Sequence, residues 1–202
     1  QYESIMFSDG SESTISITSM IQNLPVTHDG NNLLSFNTLP EDLSLSSVLV
    51  DFESSVLNII GEGVAASYHP VLGWIGSLTH IDPDKGYWAT SSNGEILNTV
   101  GDRYEITDYS LHTGANLISY PYESVQSIED ALPDEIHQDI WAIFGQGVSA
   151  MNINGNWMGS LNSFEGGAGY WIIATTNFVF EYNQPDGAAL AVANTIAHPP
   201  QE

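Results

Sequence analysis

The chain repeats itself. His28–Phe36 (HDGNNLLSF) matches His112–Tyr120 (HTGANLISY) at an offset of 84 residues, and 59–66 (IIGEGVAA) matches 143–150 (IFGQGVSA) at the same offset. Residues 74–78 (WIGSL) match 157–161 (WMGSL), and 86–88 (GYW) match 169–171 (GYW), both at 83. Seventeen of the 25 paired positions are identical, in four blocks that keep their order and spacing. A repeat of this kind constrains the architecture, because whatever one copy folds into the other must also be able to form. The expectation is two homologous small modules in tandem, 28–106 and 112–184. Residues 1–27 precede them as an additional or donated strand, or as the last strand of an upstream domain. Residues 185–202 follow as a small-residue, Pro-containing, linker-like tail.

Each copy reads as mostly β (α+β), with one short helix. NLLSF and NLISY have strand composition. In residues 41–57 (EDLSLSSVLVDFESSVL), Leu45, Val48, Leu49, Phe52 and Val56 follow helical spacing, with Asp42 or Ser44 as N-cap. In the second copy Ile128, Leu132, Ile136 and Ile140 recur every fourth residue, and Pro133 is expected to divide that segment into two short turns. IIGEGVAASY, GWIGSL, GYWATSS and EILNTV then read as short strands separated by glycine turns. The order expected for a module is β-α-β-β-β-β.

Charge excludes whole classes of partner. The chain has 25 Asp and Glu but only two Lys and Arg, Lys85 and Arg103, for a net charge of −23. Phosphate contacts run mainly through Lys and Arg, so neither nucleic-acid binding nor docking on an anionic membrane is expected. No apolar run approaches the ~18 residues of a membrane helix. The absence of cysteine removes disulfides, thiolate metal sites and thiol nucleophiles. A chain that repels its own copies and offers trypsin-like proteases almost nothing suits a secreted or cell-surface setting; its start at Gln1 fits either a removed signal peptide or a piece of a longer chain.

The two copies also weigh each other's candidate sites. Glu62, between two glycines, becomes Gln146 in the second copy, so the repeated feature is the turn and not an acid. Asp82 and Asp84, in DPDKG, are a candidate calcium pair, because acids two apart before a glycine open calcium loops. Their counterpart, EGGAG (Glu165–Gly169), lacks the acid pair, and a turn with Pro83 at its second position is the better reading of DPDKG. His28 and His112 occupy equivalent H-x-G turns. His69, His80, His137 and His198 form no zinc pattern. No nucleophile elbow or phosphate loop is present. The aromatics Trp74, Tyr87, Trp88, Trp157, Tyr170 and Trp171 repeat in register. Neighbours in GYW must face opposite sides of a strand, so one of each pair is core and the other a candidate stacking platform for glycan or peptide. The parts that differ between copies, His69, His80, Asp82, Asp84 and Lys85, are the freest to carry function.

The GW-GSL…P-KGYW pattern at 73–88, with the NLISYP and GQGVSA blocks, resembles tandem modules of secreted or cell-surface proteins from marine and environmental bacteria. The resemblance spans most of residues 28–182, and the second copy departs from it at Glu165–Gly169, which lacks the proline and lysine. It implies an exported, non-catalytic adhesion or assembly role with self, protein or glycan partners, and supplies no catalytic residues. Two further functions fit the same sequence: a subunit of an extracellular filament or virion surface that exchanges a terminal strand, and a glycan-binding or glycan-active protein.

Overall fold

The computed structural model describes residues 2–6, 12–16, 20–26, 30–52, 55–92 and 94–185. His28, His198 and the tail after Pro185 lie outside them. The fold is mostly β. Near the N-terminus, β1 (Tyr2–Met6) and β2 (Glu12–Ser16) pair with each other as a two-stranded sheet.

The first half then runs β3 (Met20–Val26), β4 (Asn31–Ser35), β5 (Thr38–Leu39), α1 (Leu45–Val48), β6 (Val56–Ile60), β7 (Ala65–His69), β8 (Gly73–Gly76), β9 (Gly86–Ser91) and β10 (Glu95–Arg103). The second half runs β11 (Tyr109–Leu111), β12 (Gly114–Ser119), β13 (Gln126–Ser127), α2 (Ile128–Ala131), β14 (Ile140–Gly145), β15 (Val148–Ile153), β16 (Asn156–Gly159), β17 (Ser163–Phe164), β18 (Gly169–Ala174) and β19 (Phe178–Phe180). Each half builds one five-stranded antiparallel sheet, in the orders β4-β9-β6-β7-β8 and β12-β18-β14-β15-β16. These are the same order, strand for strand. The pairing of β3 with β10 likewise corresponds to that of β11 with β19. Residues 20–26, expected as an additional or donated strand, are thus paired inside their own chain.

The helix is shorter than its apolar spacing predicts. Ser44 caps it by accepting the Ser47 N–H, and Ser127 does the same for the Asp130 N–H in α2. After Val48 the first copy tightens into a 3-10 turn at Val50–Phe52, and Val56 opens β6 instead of ending the helix. Leu45, Val48, Leu49, Phe52 and Val56 are nevertheless all buried. The spacing recorded one core-facing stripe, and a strand start satisfies its last position as well as a helix would. Pro133 does divide the second segment, standing before a 3-10 turn at Asp134–Asp139. IIGEGVAASY is a hairpin of two strands, β6 and β7, where its sequence suggests one, and short strands β5, β13 and β17 add to the count.

Within each half, one sheet face packs on a hydrophobic cluster that includes the helix. Leu34, Ile59, Tyr87 and Leu97 anchor the first cluster. Ile118, Ile143, Tyr170, Phe180 and Tyr182 anchor the second. Tyr87 and Tyr170 each accept a backbone N–H at 2.7 Å, from Asp82 and Glu165 respectively, which fixes the turn before the GYW strand. Burial raises both phenols, that of Tyr170 to about 12.

The halves join through a reciprocal set of contacts. The Ser35 N–H donates to the Gly167 carbonyl at 2.8 Å, and the equivalent Ser119 N–H donates to the Asp84 carbonyl at 3.1 Å. Gly86 and Gly169 face each other at the crossing. A Cβ on Gly86 would lie 2.9 Å from the Ile118 carbonyl oxygen and 3.2 Å from the Gly169 Cα. Leu33 and Leu117 are buried, at 3% and 0% exposed, yet belong to neither core cluster, and each reaches over the other half's glycine.

Candidate functional site

Alternation along the strands sorts the expected aromatic platform. Tyr87 and Tyr170 are 2% and 3% exposed and belong to the core, so they leave the platform. Trp74 packs against the first cluster with its ring edge-on to Tyr68. Trp157 packs against the second and donates its indole N–H to His137 Nδ1 at 3.3 Å. These two tryptophans are half-buried and turned inward. Trp88 and Trp171 lie on the opposite, outer face of each sheet, across from Leu33 and Leu117. The six rings therefore form no common platform; they divide between two faces and two halves.

The DPDKG turn is occupied from within. Asp84 pairs with Lys85 at 2.8 Å, and Asp82 contributes its backbone to Tyr87. Among the described residues, no three of His, Asp and Glu converge to hold a metal. His69 and His80 are exposed; His69 accepts local backbone N–H groups, and His80 pairs with the Thr79 hydroxyl at 2.8 Å. The other base, Arg103, reaches Glu123 at 3.3 Å and the Pro121 carbonyl at 2.8 Å. Both basic side chains are thus paired inside the molecule.

The GEG and GQG turns hold what the sequence comparison set aside. Glu62 crosses to the second half, where its Oε2 accepts the Leu117 N–H at 3.0 Å and its Oε1 meets His112 Nε2 at 2.6 Å. Gln146 makes the reciprocal reach, its Oε1 accepting the Leu33 N–H at 2.8 Å. The repeated property is a side-chain oxygen at the end of a two-carbon arm, which Glu and Gln share. β4 and β12 are edge strands, and this clasp satisfies backbone donors that an edge leaves open. Beside Glu62, a cavity of about 330 Å³ is lined from both halves, by Val64, Lys85, His112 and Asn116 among others.

Both outer faces expose apolar side chains, Ile60 and Ile75 of sheet one at 44% and 49%, but they differ along one row. Across sheet one, Asn31, Thr90, Asn58, Ser67 and Ile75 stand side by side, one per strand. Two hydrogen bonds link them: Thr90 Oγ1 to Asn31 at 2.8 Å and Ser67 Oγ to Asn58 at 2.6 Å. The same five positions of sheet two carry Ala115, Ile173, Ala142, Met151 and Met158. Around that row, Trp141, Phe144 and Ile153 are 51%, 39% and 47% exposed, and Met158 is 58% exposed. None of the chain's 25 carboxylates falls in any of the ten strands of the two sheets. Among the described residues, the carboxylates lie in turns, loops, helical turns and the flanking strands.

No family model, curated protein or solved structure matches the chain. Among the described residues, no helix is long and apolar enough to cross a membrane.

The inter-half clasp predicts a pH response. His112 Nδ1 lies 2.9 Å from the Thr113 carbonyl and Nε2 lies 2.6 Å from Glu62, an arrangement in which a protonated ring donates twice. The Thr113 carbonyl first, and Glu62 second, raise the imidazole above its usual value, with Lys85 opposing. A raised folded-state value means this contribution to the clasp is complete below the ordinary imidazole range and is lost as pH rises through the folded value. An NMR titration should place His112 above an unstructured histidine. In Glu62→Gln its midpoint should fall part of the way back, because the Thr113 contact remains. An unchanged midpoint would show that Glu62 does not hold the ring.

Proposed function

We propose that the protein is a non-catalytic adhesion or assembly module of the cell exterior, and that it docks through the outer face of sheet two. The observation that carries this reading is the exchange of a polar, hydrogen-bonded row in sheet one for an apolar row at the same positions in sheet two. The core does not require it, since sheet one folds in the same order with Asn, Thr and Ser there. Exposed methionine, tryptophan and phenylalanine on an uncharged surface favour protein contact over solvent. The row has no side-chain donor or acceptor to read sugar hydroxyls, which favours a protein partner over a glycan. The charge balance and the resemblance of the repeat support an exported setting.

Site-specific photocrosslinking in the producing cell tests the reading. Benzoylphenylalanine in place of Met151 should capture a protein neighbour identifiable by mass spectrometry. The same group in place of Ser67, its equivalent in sheet one, should capture far less. Equal yields from the two positions would sink the assignment of this face.

A further inference from the structure

We infer that the occupant of this face is a second copy of the chain, docked sheet two to sheet two about a two-fold axis. The inference rests on the docking role proposed above and names the partner. Three observations lead to it.

The first is charge. At a net charge of −23, copies repel one another over most of their surface. A basic partner would find carboxylates to pair with on the turns and flanking strands, but none in the strands of this face. Electrostatic complementarity therefore favours an uncharged partner surface, and the chain itself carries one.

The second is self-complementarity. A two-fold interface uses the same patch on both partners, so each residue type must tolerate its own kind. Ala115, Ile173, Met151 and Met158 meet this condition, with Ala142, 0% exposed, as the floor of the row. Small residues and flexible thioethers pack against each other without a charge to match, and two sheets stack face to face at ~10 Å. The polar row of sheet one is already satisfied within its own half, so it gains little from covering this one.

The third is extent. Five strands ~4.8 Å apart, most of about six residues at ~3.3 Å, span roughly 24 by 20 Å, of which the Leu117 and Gly169 corner is covered by the other half. Pairing two such faces buries somewhat less than about 1,000 Å², the range of weak, transient contacts. The pair is accordingly weak and concentration-dependent, and screening of like charges strengthens it.

Sedimentation velocity on the full chain tests this over a wide concentration range, at low salt and at about 1 M NaCl, where the Debye length is ~3 Å. The expected result is a monomer–dimer equilibrium that shifts toward dimer at high salt and stops there. The variant Ala115→Asn, Ala142→Asn, Met151→Ser, Ile173→Thr, which installs the side chains of sheet one, should stay monomeric with an unchanged circular dichroism spectrum. Because the chain has no cysteine, a single one is a clean second reporter. Phe144→Cys, on the central strand, should form a disulfide-linked dimer under mild oxidation, well ahead of Ile60→Cys on sheet one. A wild type that remains monomeric in both salts, a species that grows past the dimer, or equal cross-linking of the two cysteines would overturn the inference. A monomeric wild type whose position 151 still captures another protein would remove self-pairing and leave the docking face standing. Equal capture from positions 151 and 67 would remove both.

Discussion

Carrying the apolar row over to sheet one is expected to turn a pair of copies into an open chain. The variant is Asn31→Ala, Asn58→Ala, Ser67→Met and Thr90→Ile, each taking the residue at the same position of sheet two; Ile75 already ends the row. Both partners of each hydrogen-bonded pair, Asn31–Thr90 and Asn58–Ser67, are replaced together. No polar group is left stranded, so little stability should be lost. Each copy would then carry two self-complementary faces instead of one, and a unit with two such faces propagates where a unit with one closes. Light scattering should show a mass that rises with concentration without a plateau, most steeply in high salt. Fibrous or linear particles should be visible by electron microscopy. A mass that levels off at the wild-type value would show that sheet identity does not govern association.

Gly86→Val should break the seam between the halves. Even a Cβ there would sit 2.9 Å from the Ile118 carbonyl oxygen and 2.9 Å from the Leu117 Cδ1, and the facing Gly169 Cα is 3.2 Å away. Backbone on one side and a buried side chain on the other leave no easy relaxation, and the branched side chain adds two more methyl groups. Separating the sheets to admit it would lengthen the Ser35–Gly167 and Ser119–Asp84 bonds and lift Glu62 and Gln146 from the strands they hold. Overpacking with loss of buried hydrogen bonds costs about 3 kcal/mol or more. Urea unfolding should show a much lower midpoint, and the single transition of a coupled pair should give way to two as the halves part. An unfolding free energy within ~0.5 kcal/mol of wild type would mean that the seam contributes little.

What the sequence carried plainly was recurrence. The repeated blocks mark the sheet strands, and the Ser44 and Ser127 caps and the break at Pro133 are local chemistry that needs no tertiary information. The extent of the helix was not local. Val56 fits a helical stripe and a strand start equally well, and the pairing of β6 with β9 decided between them. The site was legible only by type. The rings of GYW had to split between faces, but which one entered the core depended on register. Glu62 and Gln146 looked like a lost acid, because the side-chain oxygen they share serves a strand 55 and 113 residues away in sequence respectively. The contrast of Met151 and Ile173 with Ser67 and Thr90 emerges only once the ladder aligns one residue per strand. Comparing the two copies position by position along the strands holds that signal.

The clasp that binds the halves has a further meaning for how such a surface can arise. At the Ser35 and Ser119 contacts and the Glu62 and Gln146 contacts each half gives the other what it receives, which is the pattern of a two-fold dimer written into one polypeptide. Tethering the partners replaces dilution by an effective local concentration of roughly millimolar, so the pair persists even though its direct seam is narrow. Once the partners share a chain, they no longer have to be identical. One sheet can keep a wetted row while the other turns apolar, an asymmetry closed to a dimer of identical subunits, where every change appears on both sides at once.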